Sequence, residues 1–283
     1  MYELTDIETI RRLLAGRDFN FSKALGQNFL IDPTVCPEMA RLSGLTGADG
    51  VLEIGPGVGV LTVELAKRAK KVVAAEVDAR LLPVLAKTLT DCPNVEVLNT
   101  DIMKADLPAL CKEHFADCGS VSVCANLPYY ITSPVIMLLL ECGVKFRTVT
   151  LMVQKEAAER ICAEVGGKDC GALTAAVHYY AEAEYIFDVG RESFLPPPNV
   201  DSAVIRLTPR EAPPVGVKDE KMLFRVIKSA FAQRRKTAAN SLAAGLGKSK
   251  AEIIEILTSL GIPETARAET FSLETFAAIA DKL

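Results

Sequence analysis

The chain has few of the side chains from which metal sites and disulfide frameworks are built. It contains two histidines and eight cysteines in 283 residues, and no two cysteines are spaced as C-x-x-C. Several cysteines lie inside apolar runs, as Cys124 does in VSVCAN. We therefore expect no metal, and we interpret the cysteines as buried free thiols of a reducing compartment.

Long apolar runs are also absent. None reaches the roughly 18 residues that a membrane span requires. The first ten residues, MYELTDIETI, contain acidic side chains and lack the basic stretch and apolar block of a signal peptide. Together these two absences predict a cytoplasmic protein that does not bind a membrane.

The net charge of −4 argues mildly against nucleic-acid binding, but its distribution along the chain is uneven. Seven basic residues and no acidic residue lie between Arg225 and Lys250. The sequence thus has one strongly cationic stretch in an otherwise acidic chain.

Apolar segments alternate with helical patterns from residue 50 onward, which predicts an α/β fold with a parallel sheet covered by helices on both faces. Seven segments are predicted strands: residues 50–54, 71–77, 95–99, 121–127, 148–154, 184–190 and 202–209. Residues 209–217 contain three prolines and read as a linker, and the pattern beyond them is entirely helical. We expect one domain over residues 1–210 and a small all-α domain over 211–283.

A glycine-rich turn follows the first strand of this predicted sheet. Glu53 is followed by glycines at alternate positions, Gly55, Gly57 and Gly59. The turn after the first strand is where open α/β sheets bind nucleotides. A dehydrogenase would have a glycine in place of Val60, so the pattern favours a nucleotide ligand without a pyrophosphate.

Two acidic residues end the next two strands. Glu76 lies 21 residues beyond Gly55, where a carboxylate can accept hydrogen bonds from both ribose hydroxyls. Asp101 follows the third strand, where a carboxylate can accept from an adenine amino group. The ordered set of turn, acid and acid predicts a nucleoside site.

The tetrapeptide Asn126-Leu127-Pro128-Tyr129 follows the fourth strand. An exocyclic adenine amine is a poor nucleophile, and acceptors for its two hydrogens would activate it. The side-chain oxygen of Asn126 can supply one acceptor and the carbonyl of Pro128 another, while Tyr129 offers a flat face for an extruded base. Proline fixes the backbone and forces Leu127 to be extended, which holds that carbonyl in place.

These motifs resemble those of the ribosomal RNA adenine dimethyltransferases, in family order and over nearly the whole chain. The matching segments are KALGQNFL (23–30), EIGPGVGVLT (53–62), NLPYY (126–130), FLPPPNVDSAVI (194–205) and FAQRRKTAANSL (231–242). The resemblance is strongest to the small-subunit enzymes. It implies a class I, Rossmann-like methyltransferase domain and a helical C-terminal domain.

The resemblance also implies the reaction, which is N6,N6-dimethylation of two adjacent adenosines in a hairpin near the 3′ end of 16S rRNA, linked to small-subunit assembly. S-adenosylmethionine would be the methyl donor. By position, Gln27, Asn28 and Leu30 would contact this cofactor beside Glu53, the three glycines, Glu76, Asp101 and Asn126. Phe194 would stack on the extruded adenine opposite Tyr129, so we expect it to be exposed at the site.

The cationic stretch is interpreted as a phosphate-binding surface, because no acidic side chain accompanies it. The candidate RNA-binding residues are Lys23, Arg225, Lys228, Arg234, Arg235 and Lys236. Two departures from the family pattern, Ala24 and Ala238, are expected to leave the chemistry unaffected. We expect a monomer.

Other functions stay open on these residues alone. One is a large-subunit rRNA adenine methyltransferase of the antibiotic-resistance type, against which Tyr129 and the acidic isoelectric point argue weakly. A DNA adenine methylase fits the FAQRRKT segment less well. Another is a ribosome-assembly factor that binds without catalysis, although the complete glycine turn and tetrapeptide favour a working enzyme.

Overall fold

A computed structural model describes residues 2–15, 27–233 and 235–283. The chain divides into two compact units. The first comprises Met1–Ala158 with Glu184–Pro209, and the second comprises Glu159–Ala183 with Arg210–Leu283. We describe each unit separately.

The first unit is built on a sheet of seven described strands. In chain order they are β2 (Gly50–Ile54), β3 (Lys71–Glu76), β4 (Val95–Asn99), β5 (Val121–Asn126), β6 (Val149–Gln154), β7 (Ala181–Val189) and β9 (Ser202–Pro209). The first three residues of β7 precede the unit's boundary at Glu184. Their order across the sheet is β4-β3-β2-β5-β6-β9-β7. β2 to β6 pair in parallel, and β9 is antiparallel to β6.

Burial explains why the sequences of the central strands are almost entirely apolar. Every residue of β2 is buried, and so are five of the six residues of β6, because helices cover both faces of a parallel sheet. All seven predicted strands are confirmed, and the α/β class with them.

The described part of this unit contains seven α-helices. They are α1 (Ile7–Leu14), α2 (Val35–Leu42), α3 (Val60–Ala66), α4 (Leu82–Thr88), α5 (Leu107–His114), α6 (Thr132–Glu141) and α7 (Lys155–Ile161), which runs past the end of the unit at Ala158. Helix α5 was not predicted. Asp106 caps its N-terminus, and the Asp106 side chain accepts the Ala109 backbone N–H at 3.0 Å.

A two-stranded antiparallel ribbon joins β1 (Phe29–Leu30) to β8 (Phe194–Leu195). Two residues are too short for any periodicity, so this pairing was not predicted either. It brings two distant segments of the sequence to one place beside the sheet.

The order of the strands fixes where a ligand can bind. From β2 the chain crosses to β3 and β4 on one side, and then to β5 and β6 on the other. Open α/β sheets have a crevice at the carboxyl ends of the strands where the direction of winding changes. In this unit the change occurs between β2 and β5.

The second unit is helical. It contains α8 (Ala172–Tyr180), α9 (Glu220–Phe231), α10 (Ala238–Leu246), α11 (Lys250–Ser259) and α12 (Leu273–Ala280), which pack around Phe276. The predicted division after residue 210 differs from the observed one because 159–183 joins this unit. Ala175 and Tyr179 of α8 are buried in its core.

Two further observations concern the cysteines and the lengths of the helices. All eight cysteines are free thiols; Cys36, Cys111, Cys124 and Cys170 are buried, and the other four are partly exposed. Over the ranges that the structure describes, every helix is too short or too polar to cross a membrane.

Candidate active site

The glycine turn links β2 to α3. Gly55, Gly57 and Gly59 all have positive φ angles, of 71°, 61° and 96°, which side chains other than glycine rarely adopt. A Cβ atom on Gly57 would lie 3.3 Å from the ring of Phe29 in β1. The turn therefore needs glycine both for its backbone path and for its close approach to β1.

A cavity of about 350 Å³ lies at the carboxyl ends of β2 to β5. The glycine turn and the Asn-Leu-Pro-Tyr tetrapeptide both line it. Thirteen predicted residues meet there: Gln27, Asn28, Leu30, Glu53, Gly55, Gly57, Glu76, Asp101, Asn126, Leu127, Pro128, Tyr129 and Phe194. The sequence thus predicted residues from six separate segments that line one cavity.

Gly59 is the one predicted site residue of the described first unit that lies outside the cavity lining. It precedes α3, and a Cβ atom there would lie 3.1 Å from Leu89 and 3.2 Å from the Thr88 hydroxyl. Gly59 lets α3 pack closely at the end of α4, which is a structural task.

Glu76 is buried at the end of β3 and is held by the backbone. Its Oε1 accepts the Asp78 backbone N–H at 2.8 Å. Burial raises the pKa of this carboxyl, while hydrogen bonds from the backbone N–H groups of Asp78 and Gly57 oppose the rise. An ionised carboxylate has about four acceptor sites, so Glu76 can also accept hydrogen bonds from the hydroxyl groups of a ligand.

Glu53 is also buried, with 1% of its surface exposed, and it lines the same cavity. Its Oε2 atom has no hydrogen-bond partner among the described residues. Burial is the main cause that raises the pKa of Glu53 to about 8; the Thr62 hydroxyl opposes this rise, and the nearby Glu76 charge adds to it. An unpaired buried oxygen is costly, so this atom marks a place where a ligand donor would be stabilising.

Asp78 connects two parts of the cavity wall and was not predicted from the sequence. Its Oδ2 accepts from Gln27 Nε2 at 2.8 Å, while its backbone N–H holds Glu76. Hydrogen bonds from Arg80 are the largest cause that lowers the Asp78 pKa to about 2. The only signal in the sequence was an acid two residues beyond Glu76.

Asp101 lies at the rim in the turn after β4. Its carboxylate accepts the Met103 backbone N–H at 3.0 Å and pairs with Lys104 at 3.1 Å. Both contacts leave lone pairs free, because an ionised carboxylate has about four acceptor sites.

The tetrapeptide leaves β5 at Asn126, which pairs with Met152 of β6. No described residue hydrogen-bonds the Asn126 side-chain amide. The Pro128 carbonyl accepts the Ile131 backbone N–H at 3.1 Å and keeps a second lone pair. The Tyr129 hydroxyl lies 2.7 Å from Ser202 Oγ, which fixes the direction of the ring.

The expectation that Phe194 is exposed was wrong. The side chain is 2% exposed and packs in the core with Leu30 and Cys36, although it also lines the cavity. Pairing of Phe194 with Leu30 in the β1–β8 ribbon explains the burial.

The predicted RNA-binding residues of the described helical unit are exposed. Arg225 and Lys228 lie on one face of α9 with Lys221, which was not predicted, four residues before Arg225. Helix α9 ends at Phe231, so Arg235 and Lys236 occupy a turn rather than the predicted helix. Lys23 and Arg234 lie outside the described residues.

No group of three or more potential metal-ligating side chains comes together within residues 2–15, 27–233 and 235–283. The polar groups that line the cavity include two buried carboxyl groups, a rim carboxylate and an amide. This set of mainly hydrogen-bond acceptors suits a polar organic ligand.

The strand order, the glycine turn, the acids at successive strand ends and the tetrapeptide around one cavity define a Rossmann-like methyltransferase. The model of the family described as ribosomal RNA adenine dimethylase matches residues 18–283. The chain belongs to this family, and it is therefore an enzyme that methylates adenine in ribosomal RNA.

Similar proteins agree with this assignment over almost their full length. The ribosomal RNA small subunit methyltransferase A of Geobacillus thermodenitrificans is 50% identical over 276 residues, covering 96% of this chain and 94% of the relative. The protein of the same name from Bacillus licheniformis is 47% identical over 282 residues, covering 99% and 96%.

Two solved structures have a similar fold. A dimethyladenosine transferase from Plasmodium falciparum superposes with a TM-score of 0.72 at 27% identity, covering 88% of this chain and 95% of that structure. The 23S rRNA methyltransferase ErmE gives a TM-score of 0.67 at 29% identity, covering 90% and 99%.

Proposed function

We propose that this enzyme dimethylates N6 of two adjacent adenosines in a hairpin near the 3′ end of small-subunit (16S) rRNA, in connection with small-subunit assembly. The observation that carries the proposal is near full-length identity of 47–50% to proteins named as small-subunit methyltransferases. The substrate is rRNA in the subunit or its precursor, the enzyme works as a monomer, and it acts in the cytoplasm.

The methyl donor is proposed to be S-adenosylmethionine, and the cavity fits it. Glu76, held by backbone N–H groups, suits the ribose hydroxyls, and Asp101 at the rim suits the adenine amino group. The unpaired Glu53 oxygen is an acceptor for the cationic amino-acid end of the ligand. Gln27, Asn28, Leu30, Gly55 and Gly57 complete the wall.

The bound donor supplies an electrophilic methyl group on a sulfonium. The Asn126 side-chain oxygen and the Pro128 carbonyl accept the two hydrogens of the target amine. This draws the amine lone pair out of the ring and aims it at the methyl group. Tyr129, oriented by Ser202, stacks on the extruded base from one side, and Phe194 provides apolar wall behind it.

A general base is unnecessary in this scheme. The alkylated amine is acidic, and its proton leaves readily after transfer. Product with one methyl group still carries one N–H, so the same site can act on it a second time.

A large-subunit adenine methyltransferase is the second candidate, because ErmE shares the fold. Its 29% identity is well below the 50% shared with the small-subunit relative. A non-catalytic assembly factor is the third, and an available Asn126 amide in the cavity argues for catalysis.

The deciding experiment is methyl incorporation into undermethylated small subunits and into large subunits, with mass mapping of the products. We expect two adjacent dimethyladenosines in the small-subunit rRNA. A single modified adenosine in the large-subunit rRNA would select the second candidate, and no incorporation with intact subunit binding would select the third.

A further inference from the structure

Large apolar side chains exposed to solvent are concentrated around the mouth of the cavity. Over the described ranges five are exposed: Tyr2, Val77, Met103, Tyr130 and Val200. Val77, Met103 and Tyr130 all line this cavity. They follow β3, β4 and β5, so three consecutive strand ends each place one apolar side chain on the same rim.

Tyr130 is the most exposed of the three, at 59%, and it differs from its neighbour Tyr129. The Tyr129 hydroxyl is tied to Ser202 and its ring belongs to the cavity wall. The Tyr130 side chain has no hydrogen-bond partner among the described residues. The ring is nevertheless presented by a stiff segment, the 3₁₀ turn Tyr129–Ile131, which the Ile131 N–H to Pro128 carbonyl bond closes at 3.1 Å.

The geometry of the RNA substrate suggests what the exposed Tyr130 ring binds. Extruding one adenine breaks its stacking with the adjacent base, at a cost of a few kcal/mol. Consecutive Cα atoms are about 3.8 Å apart, so the Tyr130 side chain begins next to that of Tyr129, which is proposed to face the extruded base. The adjacent base, one nucleotide away, is the surface of the RNA that an aromatic ring at the mouth can reach.

We propose that Tyr130 is a stacking platform for the adenine that stays outside the cavity while its neighbour is methylated, with Val77 and Met103 forming the apolar rim around it. This inference rests on the proposed function, in which the two target adenosines are adjacent. Tyr130 binds each adenine while the other is in the cavity, and it thereby favours modification of both.

The test compares Tyr130→Ala with Tyr130→Phe on undermethylated small subunits. Aromatic stacking on a base is typically worth ~1–3 kcal/mol by alanine substitution. We therefore expect Tyr130→Ala to raise the KM for subunits roughly fivefold to a hundredfold. It should also increase the fraction of rRNA with only one of the two adenosines modified. Tyr130→Phe keeps the ring and should behave as the wild type.

Two measurements separate this role from damage to the fold or to the active site. Affinity for S-adenosylhomocysteine, measured by calorimetry, should be unchanged in both variants. Tyr2→Ala is the matched control, because Tyr2 is 41% exposed and does not line the cavity. It should leave KM and the product distribution unaltered.

Several outcomes would overturn the inference. A wild-type KM and product distribution in Tyr130→Ala would exclude the platform, and so would an equal defect in Tyr130→Phe. A raised KM with the normal ratio of singly to doubly modified rRNA would indicate contact with a subunit protein instead. If the wild type itself modifies one adenosine only, the proposed function fails first.

Discussion

Asn126 ends a buried strand with a side-chain amide that no described residue satisfies. Asn126 itself is partly exposed and lines the cavity, so its amide is accessible to a ligand. Asn126 lies at the carboxyl end of β5, close to the Pro128 carbonyl, which has a second lone pair free. The Asn126 side-chain oxygen and the Pro128 carbonyl are thus two acceptors in one cavity. The pair suits a planar amine with two hydrogens.

Replacing Asn126 by alanine should remove one of those acceptors and little else. We expect turnover to fall by about 100-fold or more, in the range seen when a single polar catalytic contact is removed, while cofactor affinity stays nearly unchanged. Radiolabelled methyl transfer and calorimetric titration measure the two quantities. A control is Asn94→Ala, where the side chain donates to the Ala66 and Ala69 carbonyls and does not line the cavity. An equal loss of cofactor binding and turnover in Asn126→Ala would contradict its assigned role.

Glu53 should give the free enzyme a characteristic dependence of stability on pH. Its pKa is about 8 in the folded chain and 4.5 in an ordinary environment. Between these values the folded state binds a proton that the unfolded state has released, so stability falls as pH rises from about 4.5 to 8. Below this window the carboxyl is neutral in both states, and above it the penalty is constant.

Glu53→Gln should remove this slope, because a neutral amide does not titrate. Urea midpoints measured from pH 5 to pH 9 should fall less in the variant than in the wild type. Glu113→Gln, at a side chain that is 76% exposed, serves as the control and should follow the wild type. Parallel curves for wild type and Glu53→Gln would show that Glu53 is ionised throughout this range.

At the scale of elements, Asp78 joins the segment before β1 to the end of β3. Its side chain holds Gln27 and its backbone N–H holds Glu76, and both of those residues line the cavity. Asp78 is thus a positioning residue, which acts on the cofactor through its two neighbours.

Asp78→Ala should raise the KM for S-adenosylmethionine about tenfold, of the order of one charge-assisted hydrogen bond, with kcat at saturation nearly unchanged. Asp78→Asn, which keeps an acceptor for Gln27, should recover part of the loss. The matched control is Asp106→Ala, since the Asp106 side chain also accepts a hydrogen bond, from the Ala109 backbone N–H, but does not line the cavity. A fall in kcat with an unchanged KM would exclude the positioning role.

The elements that can be predicted from sequence alone are those with a strong local signal. The strands at the centre of the sheet are apolar runs, and the glycine turn and tetrapeptide are contiguous motifs. Local patterns and family motifs together therefore point to thirteen residues of the cavity wall. The β1–β8 ribbon has two residues in each strand, and Asp78 acts through a partner 51 positions away. Contacts of this kind depend on tertiary pairing, as does the burial of Phe194.

At the scale of the whole molecule, acidic and basic side chains are concentrated at different sites. The cavity has several carboxyl groups and suits a cationic cofactor, whereas the exposed face of α9 presents Lys221, Arg225 and Lys228. These three cations lie at i, i+4 and i+7 and have no acidic partner among the described residues. The one nearby acid of the helix, Glu220, is hydrogen-bonded to Tyr180.

The α9 cations should govern the salt dependence of RNA binding. Each lysine or arginine on a phosphate contributes about 0.7–0.9 to the slope of log K against log salt. The double variant Arg225→Gln/Lys228→Gln should therefore lower the slope by about 1.4–1.8. Filter binding or fluorescence anisotropy with small-subunit rRNA, from low to moderate salt, measures this slope.

Lys250→Gln is the control, because Lys250 is exposed in the same unit but is already paired with Glu264 at 3.2 Å. Removing a cation whose charge is neutralised locally should change the slope little, although this substitution also lowers the net charge of the protein by one. The comparison separates direct phosphate contact from the general field of the protein, which any lost positive charge would weaken. If the double variant keeps the wild-type slope, α9 does not contact the RNA backbone, and the cations beyond Phe231 become the remaining candidates in this unit.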